Sequence, residues 1–183
     1  MLDHKTALAE LGTVLDGIES SSVDKACRMI IDANAMLLYG CGREGLQMRG
    51  LAMRLYHLGL NAGMVADMAA PPLGSGDLFV VSAGPGELST VTALMQVAQR
   101  DGAKVLFFTA TPYATAATMA DHVVNIPAQT MANDQVASKS SILPMGSIYE
   151  GSLFMLFEMM VLQIQKKTNA KADDMRKRHT NME

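Results

Sequence analysis

Residues 35–45 read AMLLYGCGREG: a short apolar run passes directly into a turn that contains three glycines. An apolar run of this length followed by glycine is typical of a strand buried within a parallel sheet. Beyond the turn, residues 45–58 have the spacing of an amphipathic helix, and Gly59 marks its end. The stretch therefore predicts a strand, a tight turn and a helix in direct succession, which is the first unit of an α/β fold.

The same alternation continues along the rest of the chain. Further short apolar runs lie at 61–66, 78–82, 104–109 and 122–126. Helical patterns lie at 4–19, 23–33, 88–101, 112–120, 146–168 and 171–180. Alternating strands and helices indicate right-handed crossovers and a parallel sheet flanked by helices. Ser20, Ser21 and Ser22 are predicted to cap the helix at 23–33.

One stretch fits no regular element. Residues 127–145 are polar, rich in small side chains, and contain two prolines. A loop this long inside a compact domain is usually functional or mobile, and the stretch is predicted to be such a loop.

The composition excludes several classes of protein. With 183 residues, 49% of them hydrophobic, the chain has the size and apolar content of one globular domain. The 15 Lys and Arg against 18 Asp and Glu give a formal net charge of −3, which is unsuited to a nucleic-acid-binding surface. Cys27 and Cys41 cannot form a disulfide framework, so a reducing, cytoplasmic location is predicted. The most apolar stretch, 146–165, contains Glu150 and Glu158, which favours a buried helix over a membrane span.

Two glycine turns follow predicted strands, at 40–45 and at 82–87. Each brings backbone N–H groups to the start of a helix, where an anion can bind. Both turns lie at the carboxyl ends of parallel strands, where open α/β sheets bind their ligands. Glycine also simply permits a tight turn, so one such turn would be weak evidence. Two of them in one small sheet predict a ligand crevice.

Gly40, Gly42 and Gly45 also spell G-x-G-x-x-G, and Asp67 follows the next predicted strand, where an acid could bind a ribose. A protein that uses a nicotinamide cofactor is therefore one functional hypothesis. Against it, 183 residues leave little room for a separate substrate domain. The second glycine turn also needs no such cofactor to explain it.

Five segments together resemble the sugar isomerase (SIS) family, most closely its 6-phospho-3-hexuloisomerase branch. They are the turn at 40–45, AMRLYHLG at 52–59, SGDL at 75–78 with the glycine turn after it, LPMGSIYE at 143–150 and RHTNME at 178–183. The resemblance implies a flavodoxin-like, doubly wound sheet of five parallel strands. It also implies one SIS domain over residues 1–183, with a helical extension at about 1–34 and a helical tail at about 169–183.

The resemblance further implies an activity, the aldose–ketose or ketose–ketose isomerisation of a sugar phosphate or related polyhydroxy acid through an enediol. Such a reaction needs no cofactor, and the four histidines and two cysteines have no metal-ligand spacing. A homodimer or homotetramer is implied as well. The stretch 146–168 is apolar nearly all round, which by itself predicts a place at a subunit interface. No nucleic acid or membrane partner is expected.

Three residues are candidate acid–base groups. Glu150 begins a long apolar helix whose dipole favours its ionised form, and the matching glutamate of the resembling family is the candidate base. His57 shares a polar helical stripe with Arg54, and the family's matching histidine faces a site between subunits. His179 lies in a basic tail whose counterpart reaches a neighbouring subunit. Without the resemblance, these residues would be a helix-start acid, part of a solvated face and part of a frayed terminus.

The candidate substrate-binding residues lie on the two glycine turns and the helices after them: Gly42, Arg43, Glu44, Arg54, Gly84, Gly86, Glu87, Ser89 and Thr90. The family usually has serine where Glu44 stands, and in the second turn Ala83, Pro85 and Leu88 replace three further hydroxyls. Ser89 and Thr90 could substitute only in part. Glu44 could occupy the anion site itself, bind sugar hydroxyls, or pair with Arg43. These departures motivate a second hypothesis, a sugar or sugar-phosphate sensor without catalysis.

Overall fold

A computed structural model describes residues 3–135 and 141–182 of the chain. The described residues form a five-stranded parallel sheet in the order β2-β1-β3-β4-β5. The strands are β1 (Met36–Gly40), β2 (Ala62–Met64), β3 (Leu78–Ser82), β4 (Lys104–Thr109) and β5 (His122–Asn125). This arrangement confirms the predicted doubly wound α/β fold with a flavodoxin-like strand order.

The helices are α1 (His4–Asp16), α2 (Ser20–Asp32), α3 (Gly42–His57), α4 (Ser89–Arg100), α5 (Ser147–Thr168) and α6 (Ala172–Lys177), with 3-10 helices at Thr115–Met119 and Met131–Asn133. The predicted α-helix at 112–120 is wrong, because only the 3-10 helix forms there. That stretch is too short to sustain an α-helix alone, and it contains threonines, which are weak helix formers.

The predicted cap of α2 is also wrong. Ser20, Ser21 and Ser22 form the first turn of α2, and Glu19 is the N-cap residue. Ser22 is oriented by tertiary contacts, since its hydroxyl donates to the carbonyl of Val123, 3.1 Å away on β5. Contact with the sheet, which local sequence does not reveal, therefore extends the helix by one turn.

Alternate side chains of each strand enter two separate hydrophobic cores. Leu38, Val80, Leu106 and Phe108 face one core, which α1, α2, α3 and α5 cover. The neighbours of these residues, including Phe79, Val81, Val105 and Phe107, face a second core covered by α4 and the 3-10 helix after β4. Because both faces are buried, the strands are continuously apolar, as the sequence predicted.

Helix α5 crosses the first core. It is long and apolar enough to cross a membrane, but half of its most apolar stretch is buried inside this fold. The core helix of an α/β domain has the same properties, in agreement with the prediction of a buried helix. Its buried side chains include Leu153, Leu156, Phe157, Met160, Val161 and Ile164. An apolar stripe formed by Phe154, Met155, Met159 and Leu162 remains exposed.

The sheet has its topological switch point between β1 and β3. These strands are neighbours, and Gly40 at the end of β1 is in register with Ser82 at the end of β3. The chain leaves β1 towards β2 on one side and leaves β3 towards β4 on the other. The two connections diverge, so a crevice opens at the carboxyl ends of the two strands.

Candidate active site

A cavity of about 350 Å³ occupies this crevice, at the beginnings of α3 and α5. Its walls come from both glycine turns, from the start of α5, and from the long polar stretch before α5. The lining residues are Cys41, Gly42, Arg43, Glu44, Pro85, Leu88, Thr130, Met131, Met145, Gly146, Tyr149 and Glu150. Part of the predicted functional loop thus reaches the site, while residues 136–140 of that loop lie outside the described residues.

Glu44 is buried at the base of the cavity and joins the two glycine turns. Both of its carboxylate oxygens lie 3.0 Å from the backbone nitrogen of Gly84, which donates to them. The hydroxyl of Ser82 donates to Oε2 of the same carboxylate over 2.5 Å. The carboxylate therefore accepts hydrogen bonds from Ser82 and Gly84 of the second turn. It neither caps its own helix nor pairs with Arg43.

The surroundings of Glu44 have opposing effects on its charge. Burial raises the pKa of the Glu44 carboxyl, the hydrogen bonds from Ser82 and Gly84 lower it, and the charge of Glu150 raises it further. Tyr149 is fully buried with its hydroxyl 3.2 Å from that of Ser82. Burial and the nearby Glu44 raise the Tyr149 pKa well above its usual value of 10.0, so the phenol stays protonated.

The second glycine turn requires glycine at Gly86. This residue has φ +89, a left-handed conformation, and a Cβ there would lie 2.7 Å from Cβ of Ala114 and 2.8 Å from Cβ of Thr111. A Cβ on Gly84 would lie 3.0 Å from the ring of Tyr149. The turn can therefore approach both α5 and the segment after β4 only because these positions lack side chains.

Arg43 connects the first glycine turn to the start of α5. Its guanidinium donates to the carbonyl of Met145 and to the hydroxyl of Ser147, 2.7 Å away. It also forms an ion pair with Glu150 over 3.2 Å. The backbone turns sharply here, with φ 55 at Met145 and φ 75 at Gly146. The LPMGS segment thus places the first turn of α5 against Arg43.

Glu150 has one engaged and one available oxygen. Oε1 pairs with Arg43, whereas Oε2 is buried and has no hydrogen-bond partner. Burial raises the pKa of the Glu150 carboxyl, and the Arg43 guanidinium opposes that rise. A carboxylate that is oriented through one oxygen, with the other unused at the edge of a cavity, has the properties expected of a general base.

The predicted histidines form a second cluster at the other end of α3. The rings of His57 and His179 lie 5.3 Å apart, centroid to centroid. They line another cavity, of about 400 Å³, together with Arg54, Met175 and Arg176. Arg178 donates to the carbonyl of His57 over 3.1 Å and thereby attaches the tail to α3.

Within one chain these two clusters are separate. Glu44 is in the first turn of α3 and His57 is its last residue, and the helix has 16 residues. At 1.5 Å per residue such a helix is about 24 Å long. The structure therefore brings His57, His179 and Arg54 together at one end of α3. At the other end it brings together Arg43, Glu44 and Glu150. The two sets do not meet within one chain.

The remaining predicted residues differ in their placement. Gly42 lines the first cavity, whereas Glu87, Ser89 and Thr90 are exposed and are not among its lining residues. Ser82, Tyr149 and Ser147 contact the site residues but were not predicted. Ser82 could have been found because it is the last residue of a buried parallel strand, a position that faces the ligand edge. Nothing in the local sequence of Tyr149 or Ser147 indicates their contacts across the site.

The described residues, 3–135 and 141–182, contain no group of three or more His, Cys, Asp or Glu placed to hold a metal ion. Asp67, the acid that the dinucleotide hypothesis assigned to a ribose, accepts a hydrogen bond from the backbone nitrogen of Met64, 3.1 Å away. Its carboxylate thus contributes to the turn that follows β2.

The fold defines a doubly wound α/β protein with a cavity at the ends of β1 and β3, between the starts of α3 and α5. The chain belongs to the SIS domain family, whose model matches residues 29–155. It is 32% identical to a 3-hexulose-6-phosphate isomerase of Mycobacterium gastri, over 91% of this chain and 82% of that protein. It is 28% identical to the enzyme of the same name from Bacillus subtilis, over 96% and 95% of the two chains.

Among solved structures, a Methanococcus jannaschii protein has the same fold, with a TM-score of 0.85 and 22% identity over 99% of each chain. The predicted family and fold are therefore confirmed.

Proposed function

We propose that this protein is a sugar-phosphate isomerase of the 3-hexulose-6-phosphate type, which moves a carbonyl between adjacent carbons of the sugar. The observation that supports this proposal most directly is the state of the Glu150 carboxylate. Its Oε1 pairs with Arg43, while its Oε2 is buried without a hydrogen-bond partner. Two relatives that align over at least nine-tenths of this chain bear the name of that enzyme, which supports the proposal.

In the proposed reaction Glu150 removes a proton from the hydroxyl-bearing carbon next to the carbonyl. The electron pair of that C–H bond forms the carbon–carbon double bond of an enediol, and the former carbonyl oxygen takes up a proton. Glu150 then returns its proton to the former carbonyl carbon, while the original hydroxyl gives up its proton and its oxygen becomes the new carbonyl. A pKa raised by burial suits a group that both accepts and returns a proton.

We assign the proton on the oxygen to the histidine cluster. His57 and His179 lie near the far end of α3 from Glu150's cavity, so a second copy of the chain would have to supply them. The exposed apolar stripe on α5 supports such an assembly, because Phe154 and Leu162 are 54% and 53% exposed in a single chain. We therefore propose a homodimer or homotetramer in which His57 and His179 of one subunit complete the cavity of another.

The remaining assignments follow the same proposal. Residues 1–183 form one SIS domain, with α1 and α2 as an N-terminal extension and α6 within a C-terminal tail. Gly42, Arg43 and Glu44 bind substrate in the first cavity, and Gly84 and Gly86 shape the second turn beside it. Arg54 acts from the histidine cluster, and Glu87, Ser89 and Thr90 contact the outer end of the ligand. Enediol chemistry itself needs no cofactor. We place the protein in the cytoplasm, which the free thiols of Cys27 and Cys41 support.

A sugar sensor without catalysis is the second candidate, and one observation favours it. Glu44 occupies the donors of the second glycine turn, where the resembling family usually offers hydroxyls to phosphate. Such a site could still hold a sugar without turning it over. The nicotinamide-cofactor hypothesis is less favoured, because a buried carboxylate next to the G-x-G-x-x-G turn opposes a pyrophosphate.

Solvent isotope exchange separates these candidates. The protein is incubated with fructose 6-phosphate, and separately with fructose, in D₂O, and deuterium at carbon 3 is followed by NMR. An isomerase that forms the 2,3-enediol exchanges that hydrogen, whereas a sensor binds the sugar without exchange. If calorimetry shows that the protein binds one of the sugars but neither sugar takes up deuterium, the isomerase hypothesis is rejected in favour of the sensor.

A further inference from the structure

We propose that Glu44 determines the specificity of this site, so that the second glycine turn receives a hydroxyl-bearing end of the sugar and excludes a phosphate. The inference rests on the proposed function, because it concerns the substrate of the same cavity. Its evidence is the state of the hydrogen-bond donors, the charge of the cavity and the acceptor capacity that remains on Glu44.

The backbone donors of residues 83–86 are fully used. Ala83 donates to the carbonyl of Phe108 over 3.1 Å, and Gly86 donates to that of Ala83 over 2.9 Å. Pro85 has no N–H, and the N–H of Gly84 is bound by both oxygens of Glu44 at 3.0 Å. A phosphate seated on residues 83–86 would therefore find no unused backbone donor, although a cradle of such donors is what makes a glycine turn an anion site.

The hydroxyl of Ser82 is used as well. Ser82 donates its proton to Glu44, and its oxygen lies 3.2 Å from the hydroxyl of Tyr149. A ligand that displaced Glu44 would have to accept the hydrogen bonds of both Ser82 and Gly84 in its place. It would also leave a buried carboxylate without the hydrogen bonds that compensate for its burial.

Glu44 cannot withdraw by moving its backbone. It lies in the first turn of α3, next to Gly45, where a Cβ would come within 2.5 Å of the carbonyl oxygen of Gly40. This contact shows that the first turn of α3 packs directly on the end of β1. The Glu44 side chain therefore begins from a fixed point at the base of the cavity.

The charges of the cavity oppose an anion. Its charged lining residues are Arg43, Glu44 and Glu150. The single guanidinium is already engaged by Glu150, Ser147 and the Met145 carbonyl. A phosphate at the second turn would thus meet Glu44 at contact distance, and among the described lining residues no other cation offsets the repulsion.

A sugar hydroxyl meets the opposite conditions. A carboxylate has about four lone-pair positions, of which the bonds from Gly84 and Ser82 use about three, so one acceptor position remains on Glu44. Hydroxyls donate to carboxylates, and the nearby Pro85, Leu88 and Met145 offer apolar surface for the C–H face of a sugar. If the substrate carries a phosphate, that group lies at another part of the cavity.

Calorimetry on three variants tests the proposal, with inorganic phosphate, fructose 6-phosphate and fructose as probes. Glu44→Ser frees the Gly84 donor, adds a hydroxyl and removes the charge, whereas Glu44→Gln removes the charge but keeps an acceptor for Gly84. Asp32→Ser is the matched control, since it removes one exposed carboxylate at the end of α2, at the amino edge of the sheet. Far-UV circular dichroism establishes that each variant is folded.

We expect Glu44→Ser to raise the affinity for phosphate, and the preference for fructose 6-phosphate over fructose, by about ten- to hundredfold. Glu44→Gln should show a smaller gain, and Asp32→Ser should show none. The proposal is overturned if the unaltered protein already binds phosphate as tightly as Glu44→Ser does, or if Glu44→Ser does not raise the preference for fructose 6-phosphate over fructose.

The failure of this inference is distinct from failure of the proposed function. The isotope exchange of the unaltered protein decides whether it is an isomerase, whichever sugar it prefers. The variant series decides only which chemical group the second turn receives, and it is read from binding alone.

Discussion

The carboxylate of Glu44 binds the backbone N–H of Gly84 with both oxygens 3.0 Å from the nitrogen. This contact joins the first turn of α3 to the turn after β3, across the switch point of the sheet. A side chain thus fills the place that the two glycine turns would otherwise offer to an anion. The negative charge at the base of the cavity is therefore supplied by a side chain of the protein.

Replacement of the proposed base should abolish turnover while leaving the fold intact. Glu150→Gln keeps the shape of the side chain and its contact with Arg43 but cannot accept a proton. We expect the isomerisation rate to fall about a hundredfold to ten-thousandfold, the usual effect of losing a general base. Asp32→Asn, an exposed position distant from the cavity, is the control and should retain the full rate. An unchanged rate in Glu150→Gln would remove this residue from the mechanism.

Subunit mixing tests whether the two clusters belong to one shared site. Glu150→Gln and His57→Asn should each be inactive alone. After joint refolding, mixed oligomers should contain some sites in which intact His57 faces intact Glu150, and activity should partly return. Mixing two samples of the same variant is the control. If joint refolding restores no activity although mass spectrometry detects mixed oligomers, the histidines act elsewhere.

The apolar stripe of α5 should be needed for assembly. Leu162→Glu places a charge in a stripe that is exposed in the single chain, and burying an unpaired charge at an interface is costly. Light scattering should show an oligomer for the unaltered protein and smaller species for this variant. Met68→Glu, at a fully exposed position after β2, should leave the mass unchanged. An unaltered protein that is monomeric at micromolar concentration would contradict the prediction.

Gly86 should be intolerant of a side chain. Gly86→Ala introduces a Cβ into a left-handed backbone and within 2.8 Å of two other Cβ atoms. We expect a loss of about 1–3 kcal/mol in the free energy of unfolding, measured with urea. Gly12→Ala is the matched control, because Gly12 lies within α1 with nothing within 4 Å of an added Cβ. That variant should gain about 0.5–1 kcal/mol, and a similar loss in both would contradict the steric argument.

The buried carboxyl of Glu44 should make stability depend on pH. Burial raises its pKa above the ordinary value of 4.5, so the folded state favours the protonated form. Its contribution is therefore fully present below about pH 4.5 and is lost as the pH rises through the folded-state pKa. The free energy of unfolding of the unaltered protein, relative to Glu44→Gln, should fall over that range. A relative stability that rises with pH would mean that the hydrogen bonds from Ser82 and Gly84 outweigh burial.

The amino-acid sequence alone determined the five strands, their parallel arrangement and the two glycine turns. The physical reason is that buried parallel strands are continuously apolar and that the turns after them need glycine. Both signals are local, as the run at 35–45 illustrates. The same locality explains the error at 112–120, where a helical pattern was too short to form an α-helix without tertiary support.

Only the tertiary structure decided the role of Glu44 and the partners of Glu150. The sequence left three roles open for Glu44: occupying the anion site, binding sugar hydroxyls, or pairing with its neighbour Arg43. The fold instead brings Gly84 and Ser82 to Glu44 and brings Arg43 to Glu150, through contacts between residues far apart in the chain. Which donor a carboxylate binds depends on burial and on the register of β1 with β3, and neither is encoded in the residues beside it.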